Sequence, residues 1–118
     1  MNAVNELTKE QTTAPKGKAF NLEKHVEYAA GSVVSKTLIN KKIGNITLFA
    51  VDRGQGLSEH TAPFDAVVHI LDGKAEITVG GRPQTVSAGE MLIMPANIAH
   101  SLQAGERFKM LLVMIRSE

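Results

Sequence analysis

Residues 54–73 read GQGLSEHTAPFDAVVHILDG and residues 89–100 read GEMLIMPANIAH. Each segment opens on glycine, carries a short aliphatic run and includes a histidine early or late in its length. Short runs of Val, Ile, Leu and Met bounded by Gly, Asp or Pro are the pattern of strands and turns. Glycine takes positive φ without a steric penalty, and proline fits best at a strand end, where no amide donor is needed. The two segments therefore predict strands at Ala66–Leu71 and Glu90–Met94, with turns at Asp72-Gly73 and Ala88-Gly89.

The same alternation runs outward in both directions. Strands are expected at His25–Ala29, Val33–Ile39, Ile46–Asp52, Ala75–Val79, Gln84–Val86, His100–Gln103 and Phe108–Ile115. Gly31, the stretch Asn40 to Asn45, and Gly80-Gly81 separate them. No long helical period interrupts the series, so the fold class is all-β, a sandwich or closed barrel of antiparallel strands. Asn2 to Lys18 is polar, with Pro15 and Gly17 near its end, and predicts an N-terminal extension over 1–19 ahead of a single domain over 20–118.

Composition narrows the function classes. Thirteen Lys and Arg against twelve Asp and Glu, scattered along the chain, give a net charge of +1 and no basic face for nucleic acid. The absence of Cys excludes disulfides, thiolate chemistry and iron–sulfur clusters, so any metal must be held by His and carboxylates. No apolar run has the roughly 18 residues that would span a membrane, and Met1 to Lys18 lacks the apolar segment of a secretory signal; a cytoplasmic protein is expected.

The quoted segments resemble the two motifs of the cupin superfamily, and the resemblance covers about Phe20 to Ile115. In the first motif Gly54 is followed after five residues by His60, and Leu71-Asp72-Gly73 closes the segment. In that register the family's second histidine falls on Ala62 and its glutamate on Ala66. In the second motif Gly89, Pro95 and His100 match, while Asn97 stands for a glycine and Ala104 for an asparagine. The fifteen residues between Gly73 and Gly89 are typical of small single-domain bacterial cupins. The resemblance implies a double-stranded β-helix, a jelly-roll-like β-barrel. It also implies a divalent metal ion on His60 and His100, and pairing of copies with exchange of N-terminal segments.

Side-chain alternation then sorts the residues. An inward His60 takes Ala62 with it, Ala66 takes Val68 and Ile70, and His100 takes Leu102 and Ala104. These eight define an expected pocket, with the two histidines as its polar contacts. Two ligands are too few for a stable metal site; a third would come from Glu59, Asp65 or His69, of which Asp65 and His69 have the parity of the outer face. Two alanines in place of charged ligands leave room for a small organic molecule.

The remaining residues read as structural. Met91, Met94, Met110 and Met114 fill core, and His25 is structural or solvated. Arg107, Lys109 and Arg116 are solvated edge residues. Adjacent strand residues point to opposite faces, so Ser58, Glu59 and His60 make no catalytic chain. Val67, Leu71 and the strand Phe108–Ile115 present an apolar outer face and His69 sits on it at a subunit contact, from which a homodimer is expected. Three functions follow: a cupin binding a small molecule, a metal-dependent enzyme of oxygenase or isomerase type using His60 and His100, or a sensory or accessory module acting through a protein partner.

Overall fold

The computed structural model describes residues 14–116. Eight antiparallel strands follow one short 3-10 turn, Glu23–His25: β1 Val33–Lys41, β2 Gly44–Val51, β3 Gly56–His60, β4 Phe64–Val79, β5 Arg82–Ser87, β6 Met91–Met94, β7 His100–Gln103 and β8 Phe108–Arg116. They curl into two sheets, β1-β2-β8-β4-β6 and β5-β4-β7-β3, with β4 common to both.

The barrel interior follows from alternation. Ala66, Val68, Ile70, Ala75 and Ile77 of β4 point inward with Phe108 and Met110 of β8, Val51 of β2, Met94 of β6, Val86 of β5 and Leu102 of β7, and all are buried in one cluster. Phe108, Ile70 and Ile77 are fully buried, each worth on the order of 2–3 kcal/mol relative to exposure.

A second cluster lies on the outside of the first sheet. Residues from Ala14 to Tyr28 form a strap across it, with Ala14, Phe20, Leu22, Val26 and Tyr28 packed over Leu38, Leu48, Ala50, Leu71 and Leu111. The strap is pinned by polar contacts as well: Lys109 Nζ donates to the Glu23 carbonyl at 2.6 Å, and the Tyr28 hydroxyl donates to Asp72 at 2.6 Å. The expected extension over 1–19 thus packs on the barrel from Ala14, and residues 1–13 lie outside the described residues.

Several expectations change. The stretch His25–Ala29 is not a strand: the Asn21 side chain accepts from the Lys24 amide at 2.9 Å and closes the 3-10 turn instead. The strands expected at Ala66–Leu71 and Ala75–Val79 are one strand of 16 residues. Asp72-Gly73 is an irregularity within it rather than a hairpin turn, with a register shift against β8 between Ile70 and Asp72 and Gly73 at φ 73°. Strand β3 is not among the strands that the aliphatic runs predict, because Gly56–His60 is largely polar; only the alternation applied to Ser58, Glu59 and His60 treats that segment as extended. Lys109 is buried, not solvated, because the strap covers its outward face. Met91 is 61% exposed and fills no core, whereas Met94 and Met110 are buried.

Candidate functional site

Strands β3 and β7 pair at one end of the barrel, with Leu57 opposite Leu102 and His60 opposite His100. The register shifts between these pairs: β3 advances three residues, from 57 to 60, while β7 advances two, from 102 to 100. That extra residue sets the geometry of the site. With unbroken alternation Leu57 and His60 would face opposite sides; the bulge returns His60 to the side shared by Leu57, Leu102 and His100.

Backbone glycines let the two strands meet. Gly54 has φ 85° and donates its amide to the Ala104 carbonyl at 2.7 Å, tying the loop before β3 to the end of β7. A Cβ on Gly56 would run into the Leu102 carbonyl, so only glycine permits this approach. On the other side of His100, Asn97 takes φ 66° and donates its amide to the Ala62 carbonyl at 2.8 Å. Asparagine is among the few residues that tolerate this conformation, which explains how it stands in the family's glycine position.

The imidazoles meet edge to face, with ring centroids 4.4 Å apart, planes inclined at 71° and the two Nε2 atoms 3.2 Å apart. His60 Nδ1 lies 2.7 Å from the Ser58 carbonyl, and His100 Nδ1 lies 3.1 Å from the Ile98 carbonyl. A carbonyl only accepts, so both Nδ1 atoms carry the hydrogen, and in neutral imidazole both Nε2 atoms then hold a lone pair. With both rings neutral, the facing Nε2 atoms are acceptors at hydrogen-bond distance from each other and together can take up a donor hydrogen. His100 is buried and His60 is exposed, so the pair opens to solvent on the His60 side.

The other expected pocket residues divide by depth. Ala66, Val68, Ile70, Leu102 and Ala104 are 0–3% exposed and belong to the interior cluster beneath the site. Ala62 is half-buried, on the loop that accepts from Asn97. Glu59 is exposed, and Asp65, also exposed, accepts from the Ala96 amide at 2.9 Å. His69 is half-buried on the outer face of β4, opposite Leu111 and Met91. Among the described residues no group of three or more His, Asp or Glu comes together to hold a metal.

His25 sits with its ring 4.8 Å from that of Phe20 and is part of the strap. Arg107 lies 4.4 Å over the Tyr28 ring and Arg116 lies 5.7 Å from the Phe64 ring centroid. No described helix is long and apolar enough to cross a membrane.

A barrel of this topology, entered through two glycine-led segments whose histidines meet at its mouth, defines the class. Residues 47–115 match the family model described as Cupin domain, and the chain belongs to the cupin family. A conserved protein of unknown function from Streptococcus pyogenes superposes with a TM-score of 0.84 at 38% identity, over 88% of this chain and 91% of that one. A cupin 2 conserved barrel domain protein from Leptotrichia buccalis shares 43% identity with a TM-score of 0.81 over 82% of this chain, which spans 47% of that longer protein. An uncharacterized protein of Streptomyces coelicolor is 31% identical over 84 residues, 70% of this chain and 80% of its own.

Proposed function

We propose that this cupin binds a small molecule, anchored by the His60–His100 pair at the barrel mouth. The observation that carries the reading is the convergence of two Nε2 atoms at 3.2 Å, each with its Nδ1 committed to a backbone carbonyl. A pair of acceptors at one point is complementary to a hydroxyl or protonated acid group, and the apolar side chains around it suit an apolar body. The chemical class is thus a small molecule carrying an O–H or N–H donor on an apolar frame.

The second reading is a metal-dependent enzyme. Two nitrogens 3.2 Å apart would each sit at about 2.1 Å from one ion at an angle of about 100°, within the ordinary range for neighbouring ligands. The donor set is nevertheless incomplete for a resident ion: a catalytic site normally has three protein ligands, and no third joins the pair among the described residues.

Protein purified without a histidine tag and stripped with chelator is to be tested by thermal shift against a panel of small hydroxy acids, carboxylic acids, phenols and sugars. The His60→Ala/His100→Ala double variant serves as control. Ligand binding raises native stability by mass action, so at least one compound should raise Tm in the wild type and not in the variant. No shift, or equal shifts in both, would remove the binding reading. Stoichiometric metal in the unstripped protein, lost in the variant, would favour the second.

A further inference from the structure

Two cavities open on the outer face of the first sheet and share a wall. The larger, about 740 Å³, lies where the β1–β2 hairpin meets the end of β8. The smaller, about 350 Å³, lies where the strap residues Pro15 and Phe20 meet Leu38. Ile39 and Ile46, opposite each other in the β1–β2 pairing, line both. One apolar trough therefore follows the strand direction from the open hairpin to the strap. At the hairpin end Gly44 stands between Lys41 and Ile115 in one cross-strand row. It puts no side chain over the sheet there, and β2 closes so tightly on β8 that a Cβ at this position would meet the Met114 carbonyl. Ile43 and Ile115, beside it, are 75% and 57% exposed.

The charge around the trough has one sign. Among the described residues the charged side chains that line it are Lys41 and Arg116 at the hairpin end and Lys16 at the strap end, and none is acidic. Asp65, next in the row beyond Ile115, accepts from the Ala96 amide and lies outside the trough. The hairpin end is also held in place: the Arg116 amide donates to the Ile43 carbonyl at 2.8 Å, and the Arg116 guanidinium lies 5.7 Å from the Phe64 ring centroid.

We propose that this trough binds a single-chain aliphatic carboxylate, with its head between Lys41 and Arg116 and its tail laid over Ile39 and Ile46 toward Phe20. Two cations at one end of an aliphatic surface complement an anion that carries an apolar tail, whereas a cationic amphiphile is repelled and a neutral one leaves the charges unused. From Gly44 through Ile46 to Leu48, which the strap covers, is two outward steps of a strand, about 14 Å, the reach of a chain of about ten carbons. The larger cavity also falls in the ordinary range of small-molecule sites, about 300–1,000 Å³. The site is separate from the His60–His100 pair, which stands on β3 and β7 of the second sheet, so it stands or falls independently of the reading above.

Titration calorimetry of the full chain with decanoate, below its micelle concentration, tests this. The expected result is saturable binding of one equivalent with a negative heat-capacity change, the mark of apolar burial. Octanoate should bind more weakly, by up to about fourfold for each methylene removed. Decyltrimethylammonium, the same tail with the opposite charge, should bind at least tenfold more weakly, and so should decanoate to Lys41→Ala/Arg116→Ala. Ile43→Glu sets an anion beside the head; the side chain is exposed, so Tm and circular dichroism should hold while Kd rises at least tenfold. No saturable heat, equal binding of decyltrimethylammonium, or a Kd indifferent to Ile43→Glu overturns the site. Binding lost in His60→Ala/His100→Ala would put the acid at the barrel mouth, and binding lost in Lys16→Ala but kept in Lys41→Ala/Arg116→Ala would put the head at the strap; either overturns the proposal. So does a dimer in sedimentation velocity that Ile43→Glu dissociates and decanoate leaves intact, which gives the face to a second copy, or binding to phosphatidylglycerol vesicles without binding to decanoate, which gives it to a membrane.

Discussion

The Tyr28 hydroxyl donates to the Asp72 carboxylate across 2.6 Å, joining the strap to the irregular middle of β4 over 44 residues of sequence. Burial pushes the Tyr28 phenol well above its ordinary range, and the hydrogen bond to Asp72 adds to it. A raised pKa means the folded state holds the proton more tightly. The contribution to stability is full below the ordinary tyrosine range and is lost as pH rises from there toward the folded value. Tyr28 is the single tyrosine, so ultraviolet absorbance reads it directly. Phenolate should be absent at pH 10 and appear only at higher pH or with alkaline unfolding. Tyr28→Phe should cost about 1 kcal/mol in denaturant unfolding and remove the alkaline dependence.

The hydrogen-bond partners of the histidines fix a tautomer. At a pH where both rings are neutral, long-range ¹H–¹⁵N correlation spectra should report the Nδ1–H form for His60 and His100, each with an unprotonated Nε2. Finding Nε2–H on either ring would remove the two-acceptor anchor.

Gly56 lies where β3 closes on the Leu102 carbonyl. Gly56→Ala should therefore cost about 1–3 kcal/mol, the range for forcing atoms into a packed contact. It should also spread β3 from β7, so that in the same spectra the His60 and His100 resonances shift more than those of the strap.

Asn97 holds φ 66° beside the site. Asn97→Gly should be neutral or stabilising by a few tenths of a kcal/mol, whereas Asn97→Val should destabilise by about 1–2 kcal/mol, because a β-branched residue tolerates that conformation poorly. Thermal unfolding of the two variants distinguishes the cases.

The fold was legible because its strands write themselves in aliphatic runs. Val33–Ile39, His100–Gln103 and Phe108–Ile115 fall within strands of the structure, and Gly54, Gly89 and Pro95 mark the family register. What escaped was written in the backbone. Strand β3 has only Leu57 as an apolar residue, so its pairing with β7 and its extra residue leave no trace in hydrophobic period. The meeting of His60 with His100 thus came from the resemblance, while the bulge that brings it about appears only in the register. Lys109 departs from expectation for a related reason: outward parity on β8 says solvent, unless a distant segment such as the strap lies over it.

Strand β4 contributes its first half to one sheet and its second half to the other, with Gly73 at the crossing. Neither wall of the barrel owns a complete set of strands, so one wall cannot peel away while the other stays intact. Opening must propagate through the shared backbone, and amide exchange in both halves of β4 should then report a common free energy, that of global unfolding. Local movement around the two histidines is thereby left to β3, which is held to the barrel through β7 along one edge.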